Sequence, residues 1–315
     1  MNISRRHFGA QLTAGATGLM LGACGGSDAD TPVSKRAVIL VHGSWFGAWC
    51  YAPLIPLLAA KGITAVAPDL PGHGVGAKFP ASFNTRPLDM AAFGTEVSPL
   101  AGITLADYAN TITAVIDQLA AAGFGPITLL GHSMGGIPIT VAAEANATKL
   151  AKLIYLSAFM PVTALPGGAY FGTPQGMEGQ ITPLLLADFS AVGAVRMDTN
   201  STDAAYAQGI KNAFCADVSD DVAAATRHLM TPDDPASAFG TPTGATAAKW
   251  GKIPRAYIGC TQDKAVTPNL QQLFIQEADA LTPANKTDFR PFDSSHSPFL
   301  SRPQALADLI AALAA

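Results

Sequence analysis

Three residues far apart in the chain carry groups that together could attack a carbonyl: Ser133, Asp263 and His296. Ser133 sits in Gly131-His132-Ser133-Met134-Gly135, a G-x-S-x-G pattern. Ile127-Thr128-Leu129-Leu130 precedes it, and an amphipathic stretch, Ile137 to Ala145, follows. This order predicts a strand, a sharp turn and a helix. Such a turn holds the serine hydroxyl clear of the sheet in a strained backbone conformation. Side chains two residues to either side would collide with neighbouring backbone, so Gly131 and Gly135 are small for steric reasons. The helix aims free N–H groups and its positive end at the serine.

A serine hydroxyl needs a base. His296 lies in a polar loop after the last predicted strand, and Asp263 in the loop after the strand before it. Loops at the carboxyl ends of parallel strands converge on one edge of a sheet. The expected roles are those of a triad. Ser133 is the nucleophile, His296 takes and returns its proton, and Asp263 fixes the imidazole tautomer and stabilises the imidazolium. The other candidates read as structural. His132 points away from the serine, His42 orients backbone at a strand end, His73 belongs to a glycine loop, and His228 lies on a solvated or packing face. Asp69 ends an earlier strand, while Asp288 and Asp293 are too near His296 in sequence to come from a separate strand loop. An oxyanion would need two donors, expected from the backbone N–H groups of Met134 and Ser44.

The elements that must hold these groups alternate in type. Apolar runs at 37–41, 63–66, 127–130, 153–156 and 255–259 read as buried parallel strands, with a last short strand near 287–290. Helices are predicted at 48–60, at 137–145, at 269–280, at 303–313, and from about 105 to 119, the last capped by Thr104 with Asp107. That alternation predicts an α/β fold with a parallel sheet covered on both faces. Residues 75–102 are rich in Pro and Gly and read as a surface insertion. From about 160 to 250 strands are absent and helical stretches occur at 203–214 and 220–230, which reads as an inserted cap.

With 315 residues, 49% of them hydrophobic, the chain can bury one large core. Charged residues are 13% and the net charge is −4, with no basic stripe for nucleic acid. Residues 1–24 read as an export signal and 25–36 as a polar tether, leaving 37–315 for the folded domain. Ser4-Arg5-Arg6-His7-Phe8 resembles a twin-arginine motif, and Leu21-Gly22-Ala23-Cys24 resembles a bacterial lipobox. The expectation is an exported, periplasmic or membrane-anchored lipoprotein, touching membrane only through acylated Cys24. Cys50, Cys215 and Cys260 form no disulfide framework and have no metal-ligand spacing, so three semi-buried thiols are expected.

Several segments together resemble one branch of the α/β-hydrolase superfamily, that of plant methyl-ester esterases, hydroxynitrile lyases and bacterial relatives. They are His42-Gly43-Ser44 with Gly47-Ala48-Trp49, the Gly131 to Gly136 turn, Ala158-Phe159-Met160-Pro161, Cys215 to Val222, Cys260 to Val266, and His296. The order Ser133, Asp263, His296 is also that family's order. The resemblance implies a six-stranded, mostly parallel core with a helical cap, no metal and no organic cofactor. The lyases carry Thr after the first-loop His and Lys after the catalytic His, where this chain has Gly43 and Ser297. A lysine ammonium would stabilise departing cyanide, so its absence favours ester hydrolysis.

The leading expectation is a serine carboxylesterase for small to medium apolar esters or lactones, working through an acyl-enzyme. Its partner is a small-molecule ester, and the cap, poor in charge, suggests an apolar pocket. A hydroxynitrile lyase and a non-catalytic ligand receptor on the same fold are the alternatives.

Overall fold

Ala37–Val41 is buried along its whole length and forms β1, the second strand of the sheet. The computed structural model describes residues 35–314. The predicted signal, Cys24 and the tether up to residue 34 lie outside the described residues. After β1 come β2 (Thr64–Val66), β3 (Ile127–His132) and β4 (Leu150–Leu156). A two-stranded ribbon, β5 (Ala194–Arg196) and β6 (Asp233–Pro235), precedes β7 (Arg255–Cys260) and β8 (Asp288–Phe292). The main sheet has six strands in the order β2-β1-β3-β4-β7-β8, and every neighbouring pair is parallel.

The central strands β1, β3 and β7 are buried at every residue, as expected where helices cover a parallel sheet. The edges are blunted. β2 has three residues, and β8 carries Arg290 and Pro291 on exposed positions. The principal helices are α1 (Leu105–Ala121), α2 (Gly136–Asn146), α3 (Ala204–Phe214), α4 (Asp220–Leu229), α5 (Pro268–Leu281) and α6 (Pro303–Leu313). The Thr104 hydroxyl accepts from the Asp107 N–H and the Asp107 carboxylate accepts from the Thr104 N–H, a reciprocal cap that starts α1. From there Leu105, Tyr108, Ile112, Ile116 and Leu119 turn one face into the core.

Three expectations are corrected. The helix expected over 48–60 is broken into a 3-10 turn at Ala48–Tyr51 and a short helix at Ile55–Ala59. Pro53 and Pro56 lack the N–H that a continuous helix needs, and Pro56 is tolerated only in the first turn of the second piece. The insertion at 75–102 is not wholly irregular, since Asp89 caps a helix at Met90–Thr95. The cap also contains strands. β5 and β6 pair antiparallel with Arg196 opposite Asp233. Both side chains are fully buried, and two 2.7 Å hydrogen bonds join the guanidinium to the carboxylate. Arg196 also donates to the carbonyls of Phe93 and Glu96, so it ties the cap to the insertion. Asp-Asp-Pro has no strand propensity, and this tertiary pair makes the ribbon instead.

Candidate active site

Ser133 follows β3 directly and adopts φ +54°, a left-handed conformation that costs a non-glycine residue about 1–3 kcal/mol. Four glycines let the chain close around it. A Cβ on Gly131 would lie 2.6 Å from the Gly135 carbonyl oxygen, and one on Gly135 would lie 2.5 Å from that of His42. A Cβ on Gly136 would lie 2.0 Å from the Phe159 carbonyl oxygen, and one on Gly43 would lie 2.7 Å from the Ser133 Cβ. The Phe159 N–H donates to the Ser133 carbonyl at 2.9 Å, which joins the turn to the loop after β4.

Asp263 and His296 meet in neighbouring loops, at the carboxyl ends of β7 and β8. The His296 Nδ1 lies 2.6 Å from Asp263 Oδ2. A carboxylate can only accept, so Nδ1 carries the proton and Nε2 is left with its lone pair. Asp263 Oδ1 accepts from the N–H groups of Ala265 at 2.7 Å and Val266 at 3.0 Å. Its Oδ2 also accepts from the Ser157 hydroxyl. Gln271 in turn donates to Ser157 Oγ at 3.0 Å, to the Cys260 carbonyl at 3.1 Å and to the Val266 carbonyl at 2.7 Å. The His296 Nε2 is buried and has no hydrogen-bond partner, so the Ser133 hydroxyl is not bonded to it in this structure. Bonds of this type are often long before substrate binds and tighten in the complex.

Other groups brace this arrangement. His132 does point away from the serine, and its Nε2–H donates to the His296 carbonyl at 2.8 Å with the two rings 4.5 Å apart. Burial pushes the His132 pKa well down, which keeps that ring neutral beside His296. Asp217, from the cap, accepts from the Ser295 N–H and the Ser294 hydroxyl, each at 3.1 Å, and from the Ser295 hydroxyl. Ser157, Gln271 and Asp217 were absent from the expected site. The signals available were the position of Ser157, just past a strand end, and the place of Asp217 inside the Cys215 to Val222 segment.

The remaining candidates have structural partners. His42 accepts the Leu70 N–H at Nε2 and its Nδ1 lies 2.9 Å from the Gly43 carbonyl. Burial lowers its pKa to about 4, so the neutral ring holds the Gly43 loop. Asp69 accepts from the N–H groups of Ala48 and Val75. Asp288 pairs with Arg290, Asp293 with Arg302, and His228 is exposed. Among the described residues the Ser44 N–H has no turn or loop acceptor, and Met134 follows the serine inside the 3-10 turn Ser133–Gly135. Trp45, next to Ser44, has φ +63°.

Phe214, the last residue of α3, closes over the site, its ring 5.9 Å from that of His296 and 5.5 Å from that of Trp45. Within the cap segment lies a cavity of about 410 Å³ lined by Phe171, Leu185, Phe189, Val195 and Phe239 among other mostly apolar residues, and not by Ser133 or His296. Phe239 and Phe171 pack on Phe159, whose N–H holds Ser133. Cys50, Cys215 and Cys260 are free and fully buried rather than semi-buried. Among the described residues no group of three or more His, Cys, Asp or Glu side chains is placed to hold a metal ion, and no helix is long and apolar enough to cross a membrane.

Residues 38–309 match the family model described as the alpha/beta hydrolase family. The chain belongs to that family. This α/β-hydrolase is 27% identical over 279 residues to methylesterase 9 of Arabidopsis thaliana, covering 88% of this chain and 97% of that relative. It is 28% identical over 287 residues to a pyrethroid hydrolase of Sphingobium wenxiniae, covering 87% and 86% of the two chains. Among solved structures, a pyrethroid hydrolase superposes with a TM-score of 0.68 at 24% identity, over 89% of this chain and 97% of that one. Polyneuridine aldehyde esterase superposes at 0.63 with 20% identity, over 90% and 100%. At these identities the superpositions speak to the fold.

Proposed function

We propose that this α/β-hydrolase is a serine carboxylesterase for small to medium, largely apolar esters or lactones. One observation carries the reading: Asp263 holds Nδ1 of His296 in its protonated form and so leaves Nε2 as a base, in the family fold that presents Ser133 on a strained turn. Nε2 takes the Ser133 proton as Oγ attacks the ester carbonyl carbon. The oxygen that gains negative charge is met by the N–H groups of Met134 and Ser44. Collapse breaks the ester C–O bond, and the leaving alkoxide takes the proton from Nε2. Water then repeats the sequence on the acyl-enzyme, releasing the acid and restoring Ser133.

The apolar interior of the cap, which packs through Phe171 and Phe239 on Phe159 beside Ser133, supports an apolar substrate. Relatives named methylesterase and pyrethroid hydrolase support an ester bond. A lyase reading has no comparable support, because residue 297 is a serine with a buried, unpartnered hydroxyl. The test is turnover of nitrophenyl acetate and butyrate with a panel of larger esters. Wild type should hydrolyse some of them and Ser133→Ala none. No turnover by wild type, or undiminished turnover by Ser133→Ala, would refute the reading.

A further inference from the structure

The loop that carries Ser44 is held from the cap side. Trp45 sits in the left-handed region at φ +63°, which persists in a bulky residue only when its surroundings force it. The forcing contacts come from the cap ribbon. The Thr231 N–H donates to the Trp45 carbonyl at 2.9 Å. The Trp45 indole Nε1–H donates to the Val195 carbonyl at 3.0 Å. The Trp45 N–H and the Ser44 hydroxyl face the carboxyl of Asp234. Val195 and Asp234 are opposite each other in the ribbon, and Thr231 leads into β6.

Asp234 is fully buried and is not used by the triad. Its Oδ1 accepts from the Tyr108 hydroxyl of α1 at 3.2 Å. His73, from the loop after β2, lies 3.9 Å from that oxygen and bonds the Tyr108 hydroxyl at 2.8 Å and Thr231 Oγ1 at 3.1 Å. His42 stacks edge-on behind His73, with ring centres 5.2 Å apart. Burial pushes the His73 pKa well down, so that ring brings no positive charge. On the ribbon itself the neighbour is Asp233, which pairs with Arg196 yet still adds to the rise of the Asp234 pKa. Ser44 is near enough to Asp234 to oppose the burial-driven rise of its pKa, yet neither Ser44 Oγ nor Asp234 Oδ2 makes a well-formed hydrogen bond. Leaving buried polar atoms unpaired costs stability, so this contact is not arranged for stability alone.

We propose that Asp234 is a positioning residue for ester hydrolysis: with the Thr231 N–H and the Val195 carbonyl, its carboxyl locks the Ser44–Trp45 turn so that the Ser44 N–H points at the developing oxyanion. This rests on the esterase reading. Burial raises the Asp234 pKa to about 7, against the pull of the Ser44 and Tyr108 hydroxyls and the Trp45 N–H. The carboxylate accepts from the Tyr108 hydroxyl and stands against the Ser44 hydroxyl and the Trp45 N–H. Protonation removes acceptor capacity from the face it turns to the loop, so the lock weakens as pH falls through 7.

The experiment compares Asp234→Ala and Asp234→Asn with wild type. It measures kcat and KM on a nitrophenyl ester, per active site titrated with a fluorophosphonate, and hydrogen exchange of the 42–49 segment. Asp234→Ala should lower kcat about 10- to 100-fold, below the full loss of an oxyanion donor, with KM changed less than about threefold. Its 42–49 amides should exchange faster. Asp234→Asn keeps an acceptor and should retain most of kcat at pH 8, but lose the wild-type inflection near pH 7. A structural role alone would lower the titratable fraction and leave kcat per site unchanged. Wild-type kcat per site in Asp234→Ala, or wild-type exchange in 42–49, overturns the proposal. If Asp234→Ala does not fold, an unaltered pH profile in Asp234→Asn overturns it. Wild type inert towards every ester sinks the esterase reading and this proposal together, whereas an active wild type with an indifferent Asp234→Ala sinks this proposal alone.

Discussion

Asp263→Asn changes one atom, and the structure fixes what that atom must do. Asp263 Oδ1 faces two backbone donors, Ala265 and Val266, while Oδ2 faces His296 Nδ1 and the Ser157 hydroxyl. An asparagine has one oxygen. If it takes the Oδ1 position, the NH2 points at Nδ1, which must then accept. The imidazole proton moves to Nε2, and the base facing Ser133 is gone. The reverse orientation keeps the tautomer but turns NH2 towards two buried N–H groups, each unpaired donor costing about 1–3 kcal/mol. The first orientation therefore wins. A misplaced proton in a triad lowers kcat about 10⁴-fold, about 5 kcal/mol of barrier. The assay is kcat at saturating nitrophenyl butyrate, with thermal melting as a control. The volume is unchanged and both backbone donors stay paired, so Tm should move by only a few degrees. A kcat within tenfold of wild type, in a folded variant, would show that Asp263 does not set the His296 tautomer.

Four further outcomes are expected. Ser157→Ala removes one hydroxyl donor to the Asp263 carboxylate, worth about 1.5–3 kcal/mol. It should lower kcat about 10- to 100-fold, and a loss below twofold counts against the bracing role. Gly136→Ala places a Cβ 2.0 Å from a backbone oxygen, so urea unfolding should show a loss at or above the usual overpacking range of about 1–3 kcal/mol. Gly102→Ala, where a Cβ meets nothing within 4 Å, is the neutral control. Arg196→Met leaves Asp233 buried and unpaired, which should cost about 3–5 kcal/mol in urea unfolding, with Arg196→Met/Asp233→Leu recovering much of it. Asp234 gives a pH signature in stability. Its folded pKa of about 7 lies above the ordinary carboxylate value, so the native state holds a proton that the unfolded state has lost. Its contribution is present at acid pH and is lost as pH rises from about 4 through 7. Urea unfolding of Asp234→Asn against wild type should show a difference that grows over that window to a few kcal/mol and is flat above it. A constant difference removes Asp234 as the source.

What could be seen in the sequence is what local pattern dictates. β1 and β3 are continuous apolar runs, α1 announces itself through Thr104 and Asp107, and α6 occupies the predicted 303–313. The elbow was visible because its two glycines flank Ser133 at a fixed spacing of two residues, where a Cβ would meet backbone. Asp263 and His296 could be paired because each follows a strand at one edge of a parallel sheet. Other parts depend on long-range contacts. The His132 ring reaches the His296 carbonyl, 164 positions along the chain. Ser157, Gln271 and Asp217 are single polar residues without periodicity, and only the folded chain brings them to the triad loops. The ribbon was missed because a buried Arg196–Asp233 pair overrides the poor propensity of its residues. The broken helix at 48–60 was missed because prolines that suit a first turn interrupt a longer one.

The three unpaired thiols among the described residues make the fold its own opening gauge. Burial pushes the pKa of Cys50 and Cys260 well up and that of Cys215 to about 12, so thiolate is scarce at neutral pH and alkylating reagents must wait for exposure. Cys50 lies in the 3-10 turn after β1 and Cys260 ends β7, both buried in the main core, while Cys215 follows Phe214 on the cap. A labelling time course that resolves the three sulfurs thus clocks two events. Modification of Cys215 ahead of the other pair marks the cap lifting from the catalytic loops, and modification of all three at one rate marks collapse of the whole fold.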